Sequence, residues 1–140
     1  MNNIATAKII IKASKEKVWD AITNPVQVKK YFFGTDMLAD LRVDGKISFK
    51  GSWEGHEYED KGIITEIKEN EVLKYDYLSS MSGKEDIREN YIPIEYRLTE
   101  TPNGVELTIS QTCENEDGVA ESEKNWGAVL EGMKGLVEGE

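Results

Sequence analysis

The chain has 140 residues, a length that suits one domain (residues 1–140) with a core that needs no disulfide or metal. Its 27 acidic residues outnumber 17 basic ones and give a formal net charge of −10, which argues against nucleic-acid binding because such a surface repels phosphate. The single cysteine excludes an internal disulfide, no apolar run is long enough to span a membrane and no signal-type segment begins the chain, so we expect a cytoplasmic protein that does not enter a membrane.

Residues 4–31 predict one strand followed by two short helices. The β-branched run at residues 9–11 favours an opening strand. Ser14 stands where a helix N-cap belongs, and apolar residues then recur at helical spacing, at Val18, Trp19 and Ile22. Asn24-Pro25 ends this helix and begins a second one, to about Tyr31, since Asn caps well and Pro suits the first helical position.

From Met37 onward the apolar residues alternate with period two, which predicts six strands in an antiparallel meander. The first of these strands places four residues on one face: Met37, Ala39, Leu41 and Val43. The later strands cover residues 47–53, about 56–67, 72–78, 92–99 and 105–113, with an exposed polar loop at 79–90. Turn signals separate the strands at Asp44-Gly45, Glu54-Gly55, Asn70 and Pro102-Asn103-Gly104.

The segment from about Val119 to Val137 returns to helical spacing. Its apolar stripe consists of Trp126, Val129, Leu130, Met133, Leu136 and Val137. Three glycines interrupt the helix, at Gly127, Gly132 and Gly135, and each costs about 1 kcal/mol relative to Ala. Close approach of the helix to the sheet would compensate for them, and a bent or frayed helix is equally allowed. The resulting order, β-α-α-β-β-β-β-β-β-α, is an α+β architecture with room for a cavity.

Several motifs in this order resemble the SRPBCC superfamily, and within it the AHSA-like branch, which is named after the C-terminal domain of the activator of the Hsp90 ATPase. The resemblance covers nearly the whole chain and rests on residues 13–25, 40–46, 62–67, 73–77 and 104–110 and on Trp126. Relatives often read His-Ser-Gly-Phe where this chain has Gln-Thr-Cys-Glu at 111–114.

This resemblance implies a helix-grip fold, in which a curved antiparallel sheet wraps around the long C-terminal helix and two short helices close one end of an apolar cavity. It also implies binding of a small, mainly hydrophobic ligand that is lipid-, polyketide- or flavonoid-like. The alternative is a stress-response interaction protein that modulates a chaperone ATPase, as the name-giving relatives do. A third class, a cyclase or hydrolase, occurs among superfamily members.

The residues themselves supply little catalytic chemistry. The one histidine, His56, lies in an acidic turn, where an exposed role is favoured over a general base. Cys113 continues an inward strand face and is interpreted as a small buried hydrophobe rather than a reactive thiol. We therefore expect no metal site, no cofactor and no enzymatic activity.

Gln111 lies in line with the inward residues of the last strand, so its amide needs partners if it is buried. The partner is a tyrosine or a water molecule if Gln111 lies in an ordinary packed core, and a bound ligand if it faces the cavity. Tyrosines on the strands likewise argue for a partly polar interior. The predicted ligand-binding residues are Phe33, Met37, Trp53, Tyr75, Tyr77, Tyr96, Gln111, Trp126 and Met133.

Overall fold

The computed structural model describes residues 3–32, 34–53, 55–79 and 83–139, and for Trp53 it describes the backbone alone. Over these residues the chain forms seven strands, three α-helices and one short 3-10 turn, Arg88–Asn90. The strands are β1 (Ile4–Ile11), β2 (Asp36–Ala39), β3 (Lys46–Trp53), β4 (His56–Lys68), β5 (Val72–Leu78), β6 (Ile92–Thr101) and β7 (Gly104–Thr112). The helices are α1 (Lys15–Thr23), α2 (Pro25–Tyr31) and α3 (Glu116–Glu138).

All seven strands form one antiparallel sheet in the order β1-β7-β6-β5-β4-β3-β2. The meander from β2 to β7 is therefore confirmed, and the opening strand closes the sheet beside the last one. This arrangement of a curved sheet with a long C-terminal helix is the helix-grip fold.

The middle of β4 gives the sheet part of its curvature. At Gly62, an added Cβ would lie 2.8 Å from Cγ2 of Ile47 and 2.9 Å from the carbonyl oxygen of Asp76, so a side chain there would force both neighbours away. A β-bulge follows between Ile64 and Glu66 and bends the same strand. The bend turns one face of the sheet into a concave surface.

The helix ends follow the predicted capping. Ser14 accepts a hydrogen bond from the N–H of Lys17 and caps α1, and Asn24 caps α2, which begins with Pro25. Helix α3 begins at Glu116, earlier than the expected Val119, because the side chain of Asn115 accepts a 2.8 Å hydrogen bond from the N–H of Gly118.

Helix α3 packs across β1 and β7 and covers the free edge of β1. Carboxylates of the helix accept hydrogen bonds from backbone N–H groups of this edge, Glu123 from Thr6 at 3.0 Å and Glu138 from Lys12 at 2.8 Å. Lys134 donates to the carbonyl of Ile10 at 2.9 Å. These bonds satisfy an edge that would otherwise be open to pairing with another strand.

The predicted extension of β2 to Val43 is wrong. The strand ends at Ala39, and both Leu41 and Val43 are exposed. The chain instead forms a compact turn in which Asp44 takes a left-handed conformation (φ 67°) and its N–H donates to the carbonyl of Ile64 in β4. The hydrogen bond to β4 replaces the pairing that the alternation had predicted.

The glycines of α3 are only partly explained by close packing. Gly132 faces Tyr31 of α2, where an added Cβ would make an ordinary 3.5 Å contact. At Gly127 and Gly135 an added Cβ would meet open space, so close approach to the sheet does not account for them. Within the described residues, no helix is long and apolar enough to cross a membrane.

Candidate functional site

A cavity of about 280 Å³ lies between the concave face of the sheet and the first half of α3. Its wall is formed by residues of the five strands β3 to β7 and of α3, together with one residue just past α2 and one just past β5. Its lining consists of Phe32, Phe49, Asp60, Tyr75, Tyr77, Ser79, Ile94, Gln111, Ser122, Asn125, Trp126 and Val129.

Aromatic rings in mutual contact form the inner end of this cavity. Phe32 stacks on Phe49 with centroids 5.9 Å apart, and Trp126 meets the edge of Phe32 at 6.1 Å. Tyr75 lies 6.0 Å from both Phe49 and Tyr96. Behind these rings only a void of about 10 Å³ remains, no more than the space of one water molecule. The aromatic cluster therefore closes the cavity on the side of α1 and α2.

The cavity wall also carries a polar pair on neighbouring strands. The hydroxyl of Tyr77 donates a 2.7 Å hydrogen bond to Oδ2 of Asp60, and Ser79 bonds to the same hydroxyl. Burial raises the pKa of Tyr77 far above its ordinary value, and the nearby charge of Asp60 raises it further. Tyr77 thus keeps its proton at any physiological pH and remains a donor to Asp60.

Two further polar contacts lie at the aromatic end. The indole N–H of Trp126 donates to Oε1 of Gln111 at 2.7 Å, which joins α3 to β7. The hydroxyls of Tyr75 and Tyr96 lie 3.3 Å apart within the core. Burial raises the pKa of Tyr75 and raises that of Tyr96 to about 12. These phenols are therefore neutral hydrogen-bonding groups.

The cavity opens into an outer chamber of about 480 Å³, with which it shares Tyr77, Ser79, Gln111 and Ser122. An ion pair between Lys84 and Glu114 lies at this chamber. The loop that carries Lys84 is held to the sheet by two more ion pairs, Lys61 with Asp86 at 3.1 Å and Arg88 with Asp76 at 2.7 Å. The entrance is thus bounded by charged groups, whereas the interior is mostly aromatic.

A family model matches most of the chain. Residues 12–138 match the model described as "Activator of Hsp90 ATPase homolog 1-like protein". The chain belongs to this AHSA1-like family. No match was found among curated proteins.

Solved structures agree with the AHSA1-like assignment. ChR145 from Cytophaga hutchinsonii is 41% identical, with a TM-score of 0.83 over 97% of this chain and 94% of that one. The Aha1 dimer from Colwellia psychrerythraea is 20% identical, with a TM-score of 0.74 over 96% of each chain. DynU16, from the dynemicin biosynthetic locus, is 15% identical with a TM-score of 0.81 over 99% of this chain and 48% of its own. The last two show likeness of fold alone, and this fold is compatible with ligand binding.

The AHSA1-like cavity brings together four of the predicted ligand-binding residues: Tyr75, Tyr77, Gln111 and Trp126. Met37 and Tyr96 lie beside the small closed void behind the aromatic rings, and Met133 is fully buried without lining the cavity. Phe33 and the side chain of Trp53 lie outside the described residues. The structure thus places four of the predicted residues at the cavity wall and Met37, Tyr96 and Met133 in the core.

Sequence reasoning missed eight residues of the wall: Phe32, Phe49, Asp60, Ser79, Ile94, Ser122, Asn125 and Val129. For Asp60 a signal was present, because it alternates in phase with Gly62 and Ile64, which are both buried. Ser122 and Asn125 had no comparable signal, since they precede the apolar stripe of α3 and read as solvent-facing.

The two residues considered for other chemistry lie away from the inner cavity. His56 is exposed beside the β3–β4 turn. Cys113 is half-buried past the end of β7, with its Sγ 3.5 Å from the hydroxyl of Ser122, so it is less buried than expected. Among the described residues, no group of three His, Cys, Asp or Glu side chains could hold a metal ion.

Proposed function

We infer that this AHSA1-like chain binds a small, mainly hydrophobic molecule in the cavity between the sheet and α3. The observation that supports this inference most strongly is the unfilled space of about 280 Å³ beside a contiguous cluster of aromatic rings. Interiors are normally packed to the density of organic crystals, and ligand pockets are apolar spaces of roughly 300 Å³ or more with few polar groups. This cavity lies at the small end of that range and suits a ligand of one to three rings.

The wall supplies both affinity and orientation. Rings of Phe49, Tyr75 and Trp126 offer apolar contact area, whereas Tyr77 and Asp60 offer fixed hydrogen-bonding groups. The outer chamber provides a route of entry past Ser122.

Fluorescence titration with N-phenyl-1-naphthylamine, an uncharged lipophile that emits strongly in apolar surroundings, tests the proposal. Binding should raise both its emission and the melting temperature of the protein, because a ligand of the folded state stabilises it by mass action. Ser122→Phe, which places a ring in the cavity, should weaken binding at least about tenfold, a loss of about 1.4 kcal/mol. Ala128→Phe, on the exposed side of the same helix, is the matched control and should bind normally. Equal binding by both variants, or none by the parent, would refute the proposal.

The proposed role is binding without turnover. The serine hydroxyls of the described wall, Ser79 and Ser122, have no histidine beside them among its lining residues to act as a base. Hydrolysis of 4-nitrophenyl butyrate should therefore be no faster with the parent than with Ser122→Phe. A rate that depends on an open cavity would replace the binding role with a catalytic one.

Modulation of a chaperone ATPase is the second candidate, and the family description favours it. The partner would then be the chaperone itself. Mixing the two proteins should change the ATPase rate of the chaperone without any small molecule. If the parent and Ser122→Phe change this rate equally, the result would favour chaperone modulation over ligand binding as the function.

A further inference from the structure

One of the described side chains on the concave face is acidic. In β4, Asp60 lies directly opposite Phe49 of β3, so both side chains point to the same side of the sheet. Phe49 is almost completely buried there, and Ile64, which shares the face of Asp60, is fully buried. The half-buried carboxylate thus lies on the concave side of the sheet, at the wall of the aromatic cavity.

The carboxylate is held in place by the neighbouring strand. Tyr77 donates its 2.7 Å hydrogen bond to Oδ2, and Tyr77 is itself held by Ser79. An ionised carboxylate offers about four acceptor positions, and Asp60 makes a further interaction besides the bond from Tyr77. The pair therefore presents an oriented acceptor beside the cavity.

The surroundings favour positive charge. Of the described side chains that line the cavity, Asp60 is the one with a formal charge at neutral pH. In the outer chamber, Lys84 is paired with Glu114, and Glu121 adds another negative charge. Faces of aromatic rings, such as those of Tyr75 and Trp126, also attract cations. The amide and hydroxyl groups of the wall can donate hydrogen bonds as well as accept them, but the one formal charge among its described residues favours a cation over an anion.

We propose that the ligand is a lipophilic amine, whose protonated nitrogen binds Asp60 while its ring system packs against Phe49, Tyr75 and Trp126. This rests on the proposed function, because it assigns a chemical class to the molecule in that cavity. A charge-assisted hydrogen bond is about twice as strong as a neutral one and selects the amine over an alcohol of the same shape.

Three probes that share one ring system and one methylene separate the possibilities: 1-naphthylmethylamine, 1-naphthylmethanol and 1-naphthaleneacetate. Calorimetric titration at pH 7 should give the amine about tenfold tighter binding than the alcohol, and the acetate the weakest binding, as expected for one charged hydrogen bond. In Asp60→Asn the amine should lose this advantage, while the affinity of the alcohol should stay within about threefold. Asp36→Asn, which removes a charge at the exposed start of β2, is the matched control and should keep the order of the parent.

The outcomes distinguish this proposal from the more general one. If none of the three probes and no N-phenyl-1-naphthylamine binds, the proposed function itself fails. If the neutral probes bind but the amine has no advantage, or keeps it in Asp60→Asn, lipophile binding stands and the amine assignment is refuted. If Asp60→Asn does not fold, the order of the affinities of the parent for the three probes decides the question. Asp60→Glu, which retains the charge, should then keep this order.

Discussion

The hydrogen bond between Trp126 and Gln111 joins the C-terminal helix to the last strand, and its removal gives a measurable loss of stability. Gln111→Leu keeps the approximate size of the side chain but leaves the indole N–H without its acceptor. Because Trp126 is only 8% exposed, that donor has little access to water. An unsatisfied buried donor costs about 1–3 kcal/mol, so we expect a loss in the free energy of unfolding within this range.

The contribution of the bond itself follows from a double-mutant cycle. Trp126→Phe removes the same N–H together with part of the ring, and the double variant loses both partners at once. If the bond acts as described, the loss in the free energy of unfolding of the double variant should be smaller than the sum of the two single losses by about 0.5–1.5 kcal/mol. Unfolding in urea should be followed by far-ultraviolet circular dichroism, since the fluorescence of Trp126 is lost in two of the three variants.

A remote pair provides the control for this cycle. Thr35→Val removes a 2.5 Å hydrogen bond to Tyr58, near the opposite edge of the sheet. Its effect should add to that of Gln111→Leu within about 0.3–0.5 kcal/mol. Additive losses in the Gln111–Trp126 cycle as well, or no loss of stability in Gln111→Leu, would refute a structural role for this amide. Gln111 would then be better explained as a group that orients a bound ligand.

Three further predictions concern the whole fold. Gly135→Ala should raise the free energy of unfolding by about 0.5–1 kcal/mol because nothing opposes the added methyl group, whereas Gly62→Ala should lower it, and urea denaturation tests both. A chain that ends at Asn125 should aggregate, because it loses the apolar stripe of α3 and exposes the concave face; a soluble, cooperatively unfolding truncation by sedimentation and circular dichroism would contradict the helix-grip packing. Stability should be fully retained below about pH 10, the unfolded pKa of tyrosine, and should fall as the pH rises through the higher folded values, because the unfolded chain releases protons that the folded one keeps. The phenolate absorbance of the three buried residues Tyr75, Tyr77 and Tyr96 should therefore appear only with unfolding, and ionisation of more than three of the six tyrosines in the folded chain would be incompatible with their burial.

Local chemistry in the sequence was sufficient to predict most of the elements. Strand β5 has the predicted bounds, Val72–Leu78, and Asn70 before it adopts a left-handed conformation (φ 66°), as its turn role requires. Period-two alternation and turn residues act over a few neighbouring positions, so they are visible without tertiary information. At Leu41 and Val43 the same alternation failed, because a hydrogen bond from Asp44 to the distant β4 decided the conformation.

The candidate site was only partly predictable for a related reason. Alternation places Tyr75, Tyr77 and Gln111 on the concave face, but it does not tell which part of that face is covered. Trp126 and Met133 share the apolar stripe of α3, yet one lines the cavity and the other is packed in the core. The difference depends on the position of the helix over the sheet, which the spacing of apolar residues leaves open.

Gln111 and Asp60 differ in what they contribute to the stability of the fold. The amide of Gln111 satisfies a buried indole N–H, so a packing role accounts for it. Asp60 accepts a hydrogen bond from Tyr77, but a neutral amide oxygen could accept the same bond, so this bond does not require the charge. The carboxylate is half-buried beside aromatic rings, where it loses part of its hydration. A feature that stability does not require is where a functional demand is expected, and the proposed amine would meet that demand by pairing with Asp60 inside the cavity.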